Sequence, residues 1–414
     1  MDAGPGTPER HGAVRESGFN CFVLALSPRE RKPYLERLDA GREVVARLAG
    51  RMDGPGIQAD GLDPRAAALL RQSMLAAGGD AAVPESVDRF AGKAVSVYLV
   101  GERDILNRVP ALIKDGPYGL NALGPEIEDC LRRASRPRRL VVRGDDLLAS
   151  RRCLIMGILN LTPDSFSDGG RYLAPDKAAV HGLSMVEEGA HILDLGAESS
   201  RPGSEPVSAE EESDRLLPVL AALRASVPGT VISVDTTKSV VARKALEAGA
   251  DMINDISSGR MDPAMMSLCA ERKAPLVLMH MRGVPKTMQE EPFYRDAVGE
   301  VTEELRDRVF EAEAAGMGPG DLVVDPGIGF GKRPRDNTAL IRHLEALSSL
   351  GYPVLVGVSR KSIIGFLTGA PVEERLPGTI ALHTAALLKG ASILRVHDVK
   401  AHVQALACAE ALLA

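Results

Sequence analysis

"EEGAHILDLG", Glu187 to Gly196, reads as the end of a helix, a stop at Gly189 and then a short apolar strand. The same unit returns as "EAGADMINDI" (Glu247 to Ile256) and "LKGASILRVH" (Leu388 to His397). Outward from these, eight short apolar runs follow one another: "LIMGILN", "ILDLG", "VISVD", "MINDI", "PLVLMH", "LVVDP", "PVLVGV" and "ILRVH". Most are too uniformly apolar for a half-exposed antiparallel sheet and suit strands buried on both faces. Stretches of helical period rich in Ala, Leu and Glu separate them, "KSVVARKALEAGA" and "VTEELRDRVFEAEAAGM" among them. An open doubly wound sheet is the alternative. Eight strand–helix units closed by a near-final helix leave no strand unmatched, and the pattern predicts an α/β fold with a (β/α)8 TIM barrel.

The barrel accounts for residues 139–414. At 414 residues the chain is longer than one such domain. Residues 1–17, rich in Gly, Pro and charge, read as a disordered tail. Residues 18–138 read as a small N-terminal α/β domain, with "CFVLAL" and "AVSVYLVG" as strands and "RKPYLERLDAGREVVARLAG" and "ILNRVPALIKDG" as helical text. The arginine-rich "LRRASRPRRL" suits a solvated linker. "RRLVVRGDDLLASRR" then predicts two short strands about a turn at Gly144–Asp146.

Apolar content of 45% and charged content of 26% are those of a soluble globular protein. A net charge of -6 argues against nucleic acid or a polybasic membrane contact as the main partner. The five cysteines, Cys21, Cys130, Cys153, Cys269 and Cys408, lack paired spacing, which fits reduced thiols rather than a disulfide framework or a zinc site. With no apolar stretch long enough for a bilayer and no signal-peptide core, the expectation is a cytoplasmic protein.

In a (β/α)8 barrel the chemistry sits at the C-terminal strand ends. Those ends hold Asn160, Asp235, Asn254 with Asp255, Met279 with His280, Asp325, and the pair Arg395 and His397. After strand one comes the polar loop "NLTPDSFSDGGRY", after strand two "AESSRPGSEP", after strand seven "SRKS". Each has a plainer reading. Asp235 before "TTKS" also suits a helix N-cap, Asn254–Asp255 a turn, and His280 a satisfied core histidine, which leaves it outside the candidates. Arg395 and His397, two apart in a strand, point to the same side. "DPGIGFGK" is no phosphate loop, because Arg333 stands where Ser or Thr is needed and the glycine spacing is wrong. Its glycines would let backbone approach a flat ligand, with Phe330 available for stacking.

The set divides into two chemistries. Asp235, Asn254 and Asp325 are acceptors for a heterocycle with an amidine-like N–H edge. Arg395, His397, Arg201 and Lys361 are donors for anions, and Ser362 lies at a helix start that offers free N–H groups. Asn160 offers a neutral oxygen to a hard cation that arrives with its own phosphates.

The motifs "MGILNLTPDSFSDGG", "DLGAESSRPGSEPVSAEEE", "VDTTKS", "NDIS", "LMHMRG", "DPGIGFGK", "GVSRKSIIG" and "RVHDV" occur in that order over about residues 139–414 and resemble those of the dihydropteroate synthase family. The resemblance implies a transferase of folate biosynthesis, and a sulfonamide target. It would condense 6-hydroxymethyl-7,8-dihydropterin diphosphate with 4-aminobenzoate, with Mg²⁺, as a homodimer. It further implies that Asp235, Asn254, Asp325, Lys361 and Met279 hold the pterin, and that Asn160, Arg395 and His397 hold the diphosphate, with the metal on Asn160. Ser200, Arg201, Pro202, Phe330 and Ser362 would shape the aminobenzoate site. Asp168 would act when the first loop closes, and Asp168, Arg201, Lys361, Arg395 and His397 form the expected catalytic set. Two departures stand out. "SSRPG" puts Ser200 where the family has a threonine, and residues before about Arg138 are no part of the usual single-domain enzyme. A pterin-binding methyl-transfer barrel would have no use for the first loop or the Arg395–His397 pair. A non-catalytic pterin-binding scaffold would bind without turnover.

Overall fold

The computed structural model describes residues 18–50, 54–89, 93–161, 174–199, 204–284 and 286–413. The expected disordered tail, 1–17, lies outside the described residues. The eight apolar runs form one parallel sheet: β7 (Leu154–Asn160), β8 (Ile192–Gly196), β9 (Val231–Asp235), β10 (Met252–Asp255), β11 (Leu276–Met279), β12 (Leu322–Asp325), β13 (Leu355–Val356) and β14 (Ile393–Val396). Their order is β12-β11-β10-β9-β8-β7-β14-β13, and a parallel bridge from Val324 to Val354 joins the two ends. The sheet therefore closes into the (β/α)8 barrel. Helices cover its outside because strands buried on both faces need an apolar partner on each.

One stretch of helical period is broken. "NTALIRHLEALSSL" is split into Pro334–Arg342 and Leu344–Ser348, with His343 at φ −115° and ψ 43° between them. The helix start expected at Ser362 is present: Ser362–Thr368 precedes Leu376–Leu388 in the seventh unit.

Before the barrel, β5 (Val141–Val142) and β6 (Asp145–Asp146) form a hairpin. Its turn is Arg143–Gly144, with φ of 53° and 90°, and not Gly144–Asp146 as expected. Two successive left-handed residues match the twist of a two-residue hairpin, which moves the turn back by one position. Leu140, Val142 and Leu148 then pack under Leu154, Ile192, Val231, Met252, Val277, Val323, Leu355 and Ile393, closing the barrel at its N-terminal end. Only the opposite mouth is left for chemistry.

Further towards the N-terminus, an antiparallel sheet has the order β1-β2-β4-β3: β1 (Asn20–Leu24), β2 (Gly56–Leu62), β3 (Asp80–Ala82) and β4 (Val95–Val100). One face packs against helices Pro64–Ala76, Arg103–Leu112 and Leu120–Ala134. The other packs with helices Pro28–Arg37 and Arg42–Ala49 against Val298 and Ala346 of the barrel's outer helices. The arginine run is no solvated linker. Arg133 donates to Glu313 at 3.3 and 3.4 Å, and Arg138 donates to the Ser348 carbonyl. A guanidinium on a long stem can cover apolar surface while its head meets carbonyls and carboxylates, so a charge run can face a neighbour.

Candidate active site

Strand pairing brings the expected polar residues together. Asn160 pairs with Gly196, Gly196 with Asp235, and Asp235 with Asn254, so the three polar side chains share one rung across four strands. Gly196 supplies the gap: a Cβ there would come 3.6 Å from Asp235 Cβ and 3.9 Å from Asn160 Oδ1. Met279 pairs with Asp325 on the next two strands.

Arg395 crosses the barrel to reach two carboxylates. Its Nε donates to Asp194 Oδ2 at 2.6 Å, and an Nη donates to Asp235 Oδ2 at 2.9 Å. Burial works against the guanidinium charge, but Asp194 and Asp235 outweigh it and hold Arg395 above its ordinary value. Burial pushes the Asp235 carboxyl up strongly; Arg395 opposes the shift and Asp194 adds to it. Asn254 Nδ2 donates to the same Asp194 oxygen at 3.0 Å. A carboxylate only accepts, so the amide nitrogen faces Asp194 and the amide oxygen faces away from it. Asp255 is the turn residue of the pair, accepting from Ser257 and Gly259 at 2.7 Å.

Asp325 Oδ1 accepts from Gly327 N at 2.6 Å. Burial raises its pKa and the Lys361 charge lowers it, the former prevailing. Lys361 Nζ donates to the Ile328 carbonyl at 2.6 Å and lies 4.7 Å from the centre of the Phe330 ring. Burial brings this lysine down to about 8, against the pull of Asp325. Phe330 packs on Met279, Ile256, Met281 and Met288. His397 Nδ1 lies 2.9 Å from Ser359 Oγ, which also accepts from the His397 backbone N–H at 3.2 Å. Ser362 begins the helix Ser362–Thr368 and is exposed. Asp168, Ser200, Arg201 and Pro202 lie outside the described residues.

The glycines of "DPGIGFGK" have another use than the one expected. A Cβ on Gly327 would stand 2.0 Å from the His280 carbonyl oxygen, and one on Gly331 2.3 Å from that of Arg282. Both have positive φ, 63° and 61°. The close backbone approach is to the neighbouring loop rather than to a ligand, and it fixes where Phe330 stands. Lys332 completes the brace: its buried Nζ donates to the Phe330 carbonyl at 3.0 Å and to that of His280 at 3.2 Å. His280 is a core histidine, brought down to about 4 by burial and by the Lys332 charge.

Two of these residues escaped the motif reading. Asp194 is fully buried inside "ILDLG", and its position as the lone charge in an apolar strand was the available signal. Lys332 was passed over because its neighbour Arg333 served only to reject a phosphate loop.

The fold has close counterparts. The pterin binding enzyme family matches residues 156–397, more than half of the chain. The chain is 47% identical over 263 residues to a dihydropteroate synthase of Synechocystis, covering 63% of this chain and 91% of that one. The chain belongs to the dihydropteroate synthase family of pterin-binding enzymes. A solved Xanthomonas albilineans dihydropteroate synthase with 4-aminobenzoic acid is 46% identical at a TM-score of 0.63, covering 68% of this chain and 99% of its own. A Haloferax volcanii protein described as a probable bifunctional folylpolyglutamate synthase/dihydropteroate synthase is 40% identical over 351 residues, 82% of this chain and 41% of its own. That match reaches beyond the barrel into the N-terminal part. The synthase is a transferase: it condenses 6-hydroxymethyl-7,8-dihydropterin diphosphate with 4-aminobenzoate, giving 7,8-dihydropteroate and pyrophosphate.

Proposed function

We propose that the synthase divides this reaction between a ring-holding half and an anion-holding half of the barrel mouth, joined by Arg395. The observation that carries the reading is the Arg395 guanidinium between Asp194 and Asp235. Two of its five N–H donors are used there, and the rest are available to the leaving diphosphate, with His397 beside it. Asp235, the Asn254 amide oxygen, Asp325 and Lys361 hold the pterin, with Met279 below the ring. Carboxylates against the ring stabilise the positive charge that spreads from the methylene carbon as its C–O bond to the diphosphate breaks. The arylamine nitrogen then forms the new C–N bond and gives its proton to solvent. No side chain acts as nucleophile. Ser200, Arg201, Pro202, Phe330 and Ser362 form the aminobenzoate side, and Asp168 joins on loop closure, which excludes water.

Among the described residues no group of three or more His, Cys, Asp or Glu side chains could hold a metal. Asn160, with one neutral oxygen, fits a Mg²⁺ that keeps its waters and binds chiefly through substrate phosphates. Bound there, Mg²⁺ would offset the charge of the departing diphosphate.

Four of the five free cysteines are buried, which supports a reducing, cytoplasmic setting. No helix among the described residues is long and apolar enough to cross a membrane. Exposed Phe366 and Leu367, adjacent on the helix Ser362–Thr368, support a homodimer. We place the boundary between the N-terminal domain and the barrel at residues 138 and 139, supported by the separate apolar clusters on either side.

Pyrophosphate release, followed on mixing the protein with pterin diphosphate, 4-aminobenzoate and Mg²⁺, tests the reading. Release should require all three. Release without the arylamine would refute the exclusion of water, and release undiminished in Arg395→Ala would refute the assignment of the anion half.

A further inference from the structure

Between the N-terminal sheet and the barrel lies a cavity of about 560 Å³. Leu24, Leu26 and Tyr34 from one side and Ala297, Val298 and Ala339 from the other give it an apolar floor. Arg29, Arg37, Arg295, Arg333, Arg335 and Arg342 face it, against three carboxylates, Glu30, Asp296 and Asp336. The chain as a whole is acidic, with net charge -6, so composition does not account for this concentration of guanidinium groups.

Part of the charge is already paired. Arg342 meets Glu30 at 3.2 Å, Arg333 meets Asp336 at 2.6 Å, and Arg37 lies 3.9 Å from Asp296. Arg335 is only within 3.9 Å of Asp336, which Arg333 already holds. Arg29 and Arg295 are exposed and make no side-chain hydrogen bond or ion pair among the described residues. Three arginines without a carboxylate each thus line one concave, partly apolar space. Such a space focuses anions, and guanidinium forks suit phosphate and carboxylate groups. Its size and its place at a domain interface are those of a small-ligand site.

We infer that this cavity binds a small polyanion that carries a flat apolar ring, the ring on the floor and the charges on Arg29, Arg295 and Arg335. Residues before the barrel make a large part of the walls, so the site exists only in the two-part architecture. A polyphosphate tail and an oligocarboxylate tail share this chemistry.

Calorimetric titration of the full chain, its barrel mouth saturated with 7,8-dihydropteroate, tests the inference with ATP and separately with pteroyltriglutamate. At least one probe should bind at one per chain, and the double variant Arg29→Ser/Arg295→Ser should weaken it by about tenfold or more while leaving synthase kcat/KM unchanged. Binding of ATP alone would assign a polyphosphate tail, and binding of pteroyltriglutamate alone an oligocarboxylate. Binding that the double variant leaves intact, or no binding of either probe up to about 1 mM, would overturn it.

Discussion

Arg395 Nε sits 2.6 Å from Asp194 Oδ2, a fully buried carboxylate in the second barrel strand. The pair sets the direction of the guanidinium before any substrate arrives. In the proposed reading Asp194 is a positioning residue for the anion half of the site, acting through Arg395 and, by its bond to Asn254, on the ring half as well.

Asp194→Asn should lower kcat/KM for pterin diphosphate by about a hundredfold, since breaking a buried charged pair costs about 3–5 kcal/mol and part of that falls on the site. Because the role is positioning, the loss should be shared between ring and diphosphate binding. Calorimetry with a pterin that lacks the diphosphate checks this, and an unchanged affinity for it would rule out the link through Asn254.

Lys361 titrates at about 8 in the folded chain. Pterin-diphosphate kcat/KM, which reports the free enzyme, should fall along an alkaline limb near that pH. Stability should move the other way. Between about 8 and the ordinary lysine value of 10.5 the unfolded chain binds more protons than the folded one, so this group makes folding more favourable as pH rises. Lys361→Met should flatten both trends. A limb that persists in the variant would assign the titration elsewhere.

Lys332→Met removes the cation that holds the Phe330 and His280 carbonyls. The expected result is a rise in KM for 4-aminobenzoate of about tenfold, with a much smaller change for pterin diphosphate, since the glycine loop loses its brace while Asp235 and Asn254 keep theirs. Equal rises for both substrates would count against a local effect.

Removing residues 1–138 should leave a folded barrel. On the barrel side the shared apolar cluster consists of Val298 and Ala346 with Ala339 at its edge; polar contacts include Arg133 with Glu313 and Ala25 N with Glu345 at 2.9 Å. The truncated protein should melt a few degrees lower and keep its pterin affinity, with each lost kcal/mol worth about 2–4 °C at this size. Loss of cooperative melting would show that the N-terminal sheet is part of one folding unit.

Local chemistry decided much of this protein. Apolar runs separated by helical text at glycine stops are enough for a closed barrel, because a strand that is greasy on both faces can only be parallel and covered. Strand-end position then named Asp235, Asn254, Asp325, Arg395 and His397 without any coordinates. The tertiary structure decided what depends on a partner distant in sequence. Asp194 is 201 residues from Arg395, and its importance arises only when the sheet sets their strands on either side of β7. The glycines of the Asp325–Lys332 loop looked like ligand contacts until the chain packed against His280 and Arg282. Arg133 and Arg138 looked solvated for the same reason: whether a charge run meets water or a neighbouring helix is settled by packing, which a local reading does not contain.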